Sequence, residues 1–176
     1  MSKRDLKKYL NELTKSQLEE QIIELYEKFV PVKTYYDFVF NPKEDTLLRG
    51  SKIKISNEYF PARAASGKAR KPKMRRSVAQ KYIKQFILLG VDPFIIADVM
   101  LYSIEIAQTF SSEKIIKSEL FYKSMLNSFS QAISFMIANG ILSEFKTRII
   151  AINKETFNQK WFNFQEFDAI LERFEY

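Results

Sequence analysis

The chain has 176 residues, 46% hydrophobic and 28% charged, with a net charge of +7, and that size suits one globular domain, or at most two very small ones. It contains no His and no Cys, which excludes thiol nucleophiles, disulfides, thiolate zinc sites, imidazole bases, haem-histidine ligation and Ser-His-Asp triads. Only four Gly and five Pro are present, too few for a sandwich of many turns and comfortable for helices.

Caps and apolar spacing predict an all-α bundle of seven or eight helices. Ser2, with Asp5 three residues on, opens a helix to about Leu13. Thr14 with Gln17 opens a second to about Phe29, with Leu18, Ile22, Leu25 and Phe29 on one apolar stripe and Pro31 as its stop. Tyr35, Tyr36, Phe38 and Phe40 then read as a short aromatic turn. Asn41-Pro42 and Glu44 start a helix that runs to Tyr59, weakened at Gly50 and ended by Pro61. Ser77 caps the next, residues 78–89, with Val78, Tyr82, Phe86 and Leu89 on one face and Gly90 at its left-handed end. Asp92-Pro93 starts a helix to about 109 that is apolar nearly all round, the mark of a central, buried element. Ser118 opens a long helix to about Asn139, with Tyr122, Met125, Phe129, Ile133 and Met136 inward. Gly140 ends it, and Ile141 to about Lys154 follows. Asn163 with Glu166 caps the last helix, where Phe164, Phe167, Leu171 and Phe174 face inward. Trp161, with Phe157, Phe162 and Phe164, anchors that helix to the bundle. No strand and no internal repeat is predicted.

The charge is concentrated. Residues 61–80 hold seven Lys or Arg and no acid, and the remainder of the chain is neutral. Arg63, Lys68, Arg70, Lys71, Lys73, Arg75 and Arg76, together with Gly67 and Pro72, define a mobile basic loop at 61–77. The expectation is one all-α domain in which this loop joins a helical part at 1–60 to a helical core at 78–176. Charge begins at once in Ser2-Lys3-Arg4-Asp5, with no apolar stretch behind it. No run of about 18 apolar residues occurs. A cytoplasmic protein with no membrane span is expected.

The stretches DLKKYLNELTKSQLEEQIIELYEKF, YYDFVFNPKED, ISNEYFP and NGILSEFKTR resemble an uncharacterised family of small bacterial all-helical proteins, a domain of unknown function. The resemblance spans nearly the whole chain. It implies a bacterial, cytoplasmic, all-α unit, and brings no activity, cofactor or site residue with it.

Seven cations within fourteen positions create a local potential that suits a polyanion, either a nucleic acid or an acidic protein. If all seven met phosphates of a duplex, the salt slope would reach about −6. The loop holds no aromatic, so stacking on bases would fall to Tyr59, Phe60 or Tyr82. The plain alternative is a solvated loop. A different class of reading is a protein–protein adaptor that uses grooves between helices. The helix after Thr14 carries Glu19, Glu20, Glu24 and Glu27 rather than cations, which argues against a DNA-reading helix. An enzyme is least favoured: Asp98 and Glu105, with Tyr102 between them, share one face of the central helix, and read more readily as its wet edge. No phosphate-cradling glycine motif is present. No catalytic residue, metal or cofactor is assigned. Binding through Lys81, Lys84 and the loop would favour nucleic acid, and an exposed apolar groove would favour the adaptor.

Overall fold

The structure is a computed structural model that describes residues 2–63 and 66–173. Those residues form nine α-helices and no strand: α1 Lys3–Asn11, α2 Lys15–Lys28, α3 Val30–Phe40, α4 Glu44–Tyr59, α5 Arg76–Leu89, α6 Pro93–Glu113, α7 Glu119–Ala138, α8 Leu142–Asn158 and α9 Phe164–Glu172. The all-helical class is as the sequence predicts. The count rises to nine because the aromatic stretch expected as a turn is itself the helix α3. Pro31 sits in its first turn, where a missing N–H is tolerated. Phe29, extended at φ −119° and ψ 107°, separates α2 from α3. The residue that stops one helix therefore starts the next.

Both N-terminal capping boxes form, Ser2 with Asp5 and Thr14 with Gln17. Asp92 caps α6 by accepting from Phe94 N. Elsewhere the predicted caps do not act as caps. Among the described residues, no side chain caps α5, α7 or α9. Ser77 lies inside α5, and Asn163 donates instead to the Tyr122 carbonyl. α4 begins at Glu44 rather than behind Asn41, and the Glu44 carboxylate accepts from Asp92 N. Gly90 and Gly140 take the left-handed conformation at the ends of α5 and α7, with φ 71° and 69°.

The chain divides into two compact units, Met1–Lys43 and Glu44–Tyr176. In the first, α2 packs on α3, tied by Tyr26 Oη donating to Asp37 Oδ1 at 2.7 Å. So short a unit encloses little. Leu18 is half-buried, but Ile22, Leu25 and Phe29 of the predicted stripe are exposed.

The second unit is built around α6. α4, α5, α7 and α8 all pack on it, and Ala97, Val99, Leu101, Ile104 and Ala107 are wholly buried. By length and composition α6 could cross a membrane; here it is the core helix. α7 contributes Met125, Phe129, Ile133 and Met136 to the interior, while Tyr122 is half-buried. Trp161 is buried among Phe121, Tyr122 and Phe167, with ring centroids 5.2–6.0 Å away, and its Nε1 donates to Gln159 Oε1 at 3.0 Å. It fastens the C-terminal end to the bundle as expected, but on these rings: Phe157 and Phe162 of the predicted cluster are exposed. Phe167 is buried, Phe164 and Leu171 are half-buried, and Phe174 lies outside the described residues.

Two glycines respond oppositely to the same substitution. A Cβ at Gly50, within α4, or at Gly90 meets nothing within 4 Å, so backbone conformation alone decides. Gly50→Ala is expected to raise stability by about 0.5–1 kcal/mol, and Gly90→Ala to lower it by about 1–2 kcal/mol. Urea unfolding of the two variants checks both signs.

Candidate functional site

α4 and α5 pack side by side, and the residues just before α5 return to the end of α4. The return is clipped at Glu58. Its carboxylate accepts Arg75 Nε at 2.8 Å and Nη2 at 2.7 Å, a bidentate pair. Its carbonyl accepts both Lys73 N at 2.9 Å and Met74 N at 3.0 Å. Met74, in the left-handed region at φ 51°, makes the bend that allows this. The Arg75 guanidinium holds the Glu58 carboxyl below its ordinary pKa, against a smaller opposing effect of burial.

Beside the clip lies an open cleft of about 700 Å³. α4 contributes Lys54 and Asn57, the connection contributes Arg70, Lys71 and Lys73, and α5 contributes Ser77, Lys81 and Tyr82. Among the described residues Glu58 is the only acid lining it, and that acid is engaged by Arg75. Among the described residues, none of Lys54, Arg70, Lys71, Lys73 and Lys81 forms an ion pair. Five cations without an ion-pair partner therefore line one concavity whose only described carboxylate is engaged by Arg75.

The seven cations of the sequence motif separate into three groups. Arg70, Lys71, Lys73 and Arg75 line the cleft, the last as the clip. Arg63 and Lys68 are exposed and lie outside its lining. Arg76 turns the other way, to α7, where Nε donates to Ser128 Oγ at 2.8 Å and Nη2 to Gln131 Oε1 at 2.6 Å. Burial without an acidic partner lowers its pKa. Lys81 joins the cleft; Lys84 does not. Lys54 is the member that sequence reading misses, although its place three and four residues before Asn57 and Glu58 puts all three on one face of α4. Of the aromatics named for stacking, only Tyr82 lines the cleft. Tyr59 is buried against Phe110, and Phe60 packs edge-on to the same ring at 5.6 Å.

Asp98 and Glu105 do share a face, and Arg148 from α8 occupies it. Its guanidinium donates to Glu105 Oε1 at 2.5 Å and Oε2 at 2.7 Å, and to Asp98 Oδ1 at 2.6 Å. Lys52 from α4 reaches Asp98 Oδ2 at 2.6 Å, with its ammonium 5.1 Å from the Tyr102 ring centre. Burial works to raise the Asp98 pKa, but Lys52 and Arg148 outweigh it and hold the carboxyl below its ordinary value. Both acids are engaged, a tie among α4, α6 and α8. Among the described residues, no three His, Cys, Asp or Glu side chains gather as metal ligands would.

Removing Arg148 leaves the half-buried Glu105 carboxylate without its ion pair and Asp98 with Lys52 alone. Arg148→Met is expected to cost about 2 kcal/mol, reduced from the fully buried case by partial exposure. The depressed pKa values of Asp98 and Glu58 carry a sign: their stabilisation is full above about pH 5 and is lost as pH falls below about 4. Urea unfolding from pH 7 to pH 3 should show stability falling at the acid end, with a shallower fall in Arg148→Met.

The chain belongs to DUF6155, a family of unknown function, whose model matches residues 1–175. No curated protein and no solved structure matches it.

Proposed function

We propose that this protein is a non-catalytic binding protein that captures the phosphate backbone of a nucleic acid in the α4–α5 cleft. The helical second unit is the rigid mount, and Arg70, Lys71 and Lys73, just before α5, form its cationic limb. One observation carries this reading: five unpaired cations from three chain segments converge on a cleft whose only described acid is already engaged. Phosphates entering such a site release condensed counterions, and that release drives binding. The cytoplasmic assignment made from sequence suits this role.

Fluorescence anisotropy with labelled RNA and DNA, titrated with salt, tests the reading. Five duplex phosphate contacts give a slope of log K against log salt of about −4.5. Lys71→Gln with Lys73→Gln should flatten it by about 2, while Lys84→Gln should leave it unchanged. Arg75 and Arg76 must stay, because their loss perturbs the fold as well as the charge. No binding at about 50 mM salt would overturn the reading.

Glu58→Gln separates a formed cleft from bulk positive charge. The variant is more cationic, so charge alone predicts tighter binding. Loss of the Arg75 clip predicts weaker binding, and weaker binding is the expected result in the same assay.

A second reading has its own support. In the first unit Ile22, Ile23, Phe29, Val30 and Phe40 are exposed, with Val30 and Phe40 at 76% and 80%. Apolar side chains left in water suit the groove of a protein–protein adaptor. Sedimentation velocity across a concentration series, with Phe40→Ser as comparison, tests whether that surface associates.

A further inference from the structure

The cleft is of small-molecule size, about 700 Å³. A duplex offers phosphates on its outside and keeps its bases stacked within, so it leaves such a floor unfilled. A single strand can turn a base inward. The floor is suited to that. Tyr82 is half-buried and lines the cleft, so its ring is held by the fold while part of it remains accessible. Val78 lies one turn before Tyr82 on α5, and Ser77 one turn before Lys81, so an apolar stripe ending in Tyr82 and a polar stripe ending in Lys81 run side by side. Asn57 and Ser77 add polar groups that both donate and accept. Lys54 on α4 and Lys71 and Lys73 on the connection complete the cationic wall.

Resting on the backbone-capture reading, we propose that the cleft seats a nucleotide of single-stranded nucleic acid, with its base against Tyr82 and its flanking phosphates on Lys54, Lys71, Lys73 and Lys81. Base–aromatic stacking tolerates every base, so binding is indifferent to sequence and selective for strand state. Tyr82 is the residue that makes the distinction, since the lysines serve any polyanion alike.

The test compares a labelled single strand of about 12 nucleotides, the duplex of the same sequence, and a heparin fragment that has charge and no bases. All are measured by anisotropy at one salt concentration. The single strand should bind at least about tenfold more tightly than the duplex. Tyr82→Leu should weaken the single strand about tenfold and leave heparin unchanged, and Tyr82→Phe should retain wild-type affinity for both. Thermal unfolding of both variants accompanies the assay. Equal affinity for strand and duplex overturns this inference and leaves backbone capture standing. Equal loss of strand and heparin in Tyr82→Leu also overturns it, since Tyr82 would then serve the fold alone. Failure of all three polyanions to bind removes backbone capture and this inference together.

Discussion

An apolar helix cannot stand in water, and α6 is apolar on nearly every side. The rest of the larger unit follows from covering it. α4 and α5 lie on it from the N-terminal side of the sequence, and α7 and α8 from the other. Each covering helix turns its own apolar residues inward: Ile55 and Tyr59 from α4, Ile83 and Phe86 from α5, Phe129 and Ile133 from α7. Because α4 and α5 must share that surface, the end of one comes beside the start of the other. The connection between them has nowhere to bury charge, and its cations collect outside, at the junction. The acidic edge of α6 within its apolar stretch, Asp98 and Glu105, is met by Arg148 and Lys52 rather than by water alone.

Within the basic segment, neighbouring arginines do different work. Arg75 closes on Glu58, and Arg76, next in sequence, reaches α7 and finds only neutral acceptors. The two side chains leave the start of α5 in different directions and fix the rotation of that helix about its axis. Arg70, Lys71 and Lys73 then have a defined frame to project from. A run of positive charge in a sequence thus contains structural members and free ones, and only the free ones add to the potential available to a ligand.

Helix class, the central position of α6, the glycine ends of α5 and α7 and the two N-terminal capping boxes were all legible from sequence, because each depends on neighbours within a turn or so. What was not legible depends on partners far along the chain. Asn163 spends its amide on Tyr122, and Ser77 is displaced from the cap by Arg75, so capping residues alone mislead. α3 was missed because its aromatics suggest a turn, and because Pro31 ends and begins helices with equal ease. Arg148 carries no local sign that it answers Asp98 and Glu105, more than forty residues away. Lys54 was passed over for a related reason: the charge run marks one wall of the cleft, and the other wall belongs to a helix that reads as ordinary.

The place of α6 in the sequence also orders events during synthesis. Chains emerge at about 5–20 residues per second, N-terminal part first. α4 and α5 are therefore complete before the surface they need exists. Ile55, Tyr59, Ile83 and Phe86, all under 5% exposed in the finished fold, spend that interval in water or against each other. The Glu58–Arg75 clip needs no residue beyond Arg75. Of the contacts between α4 and the start of α5, it is one that does not wait for α6.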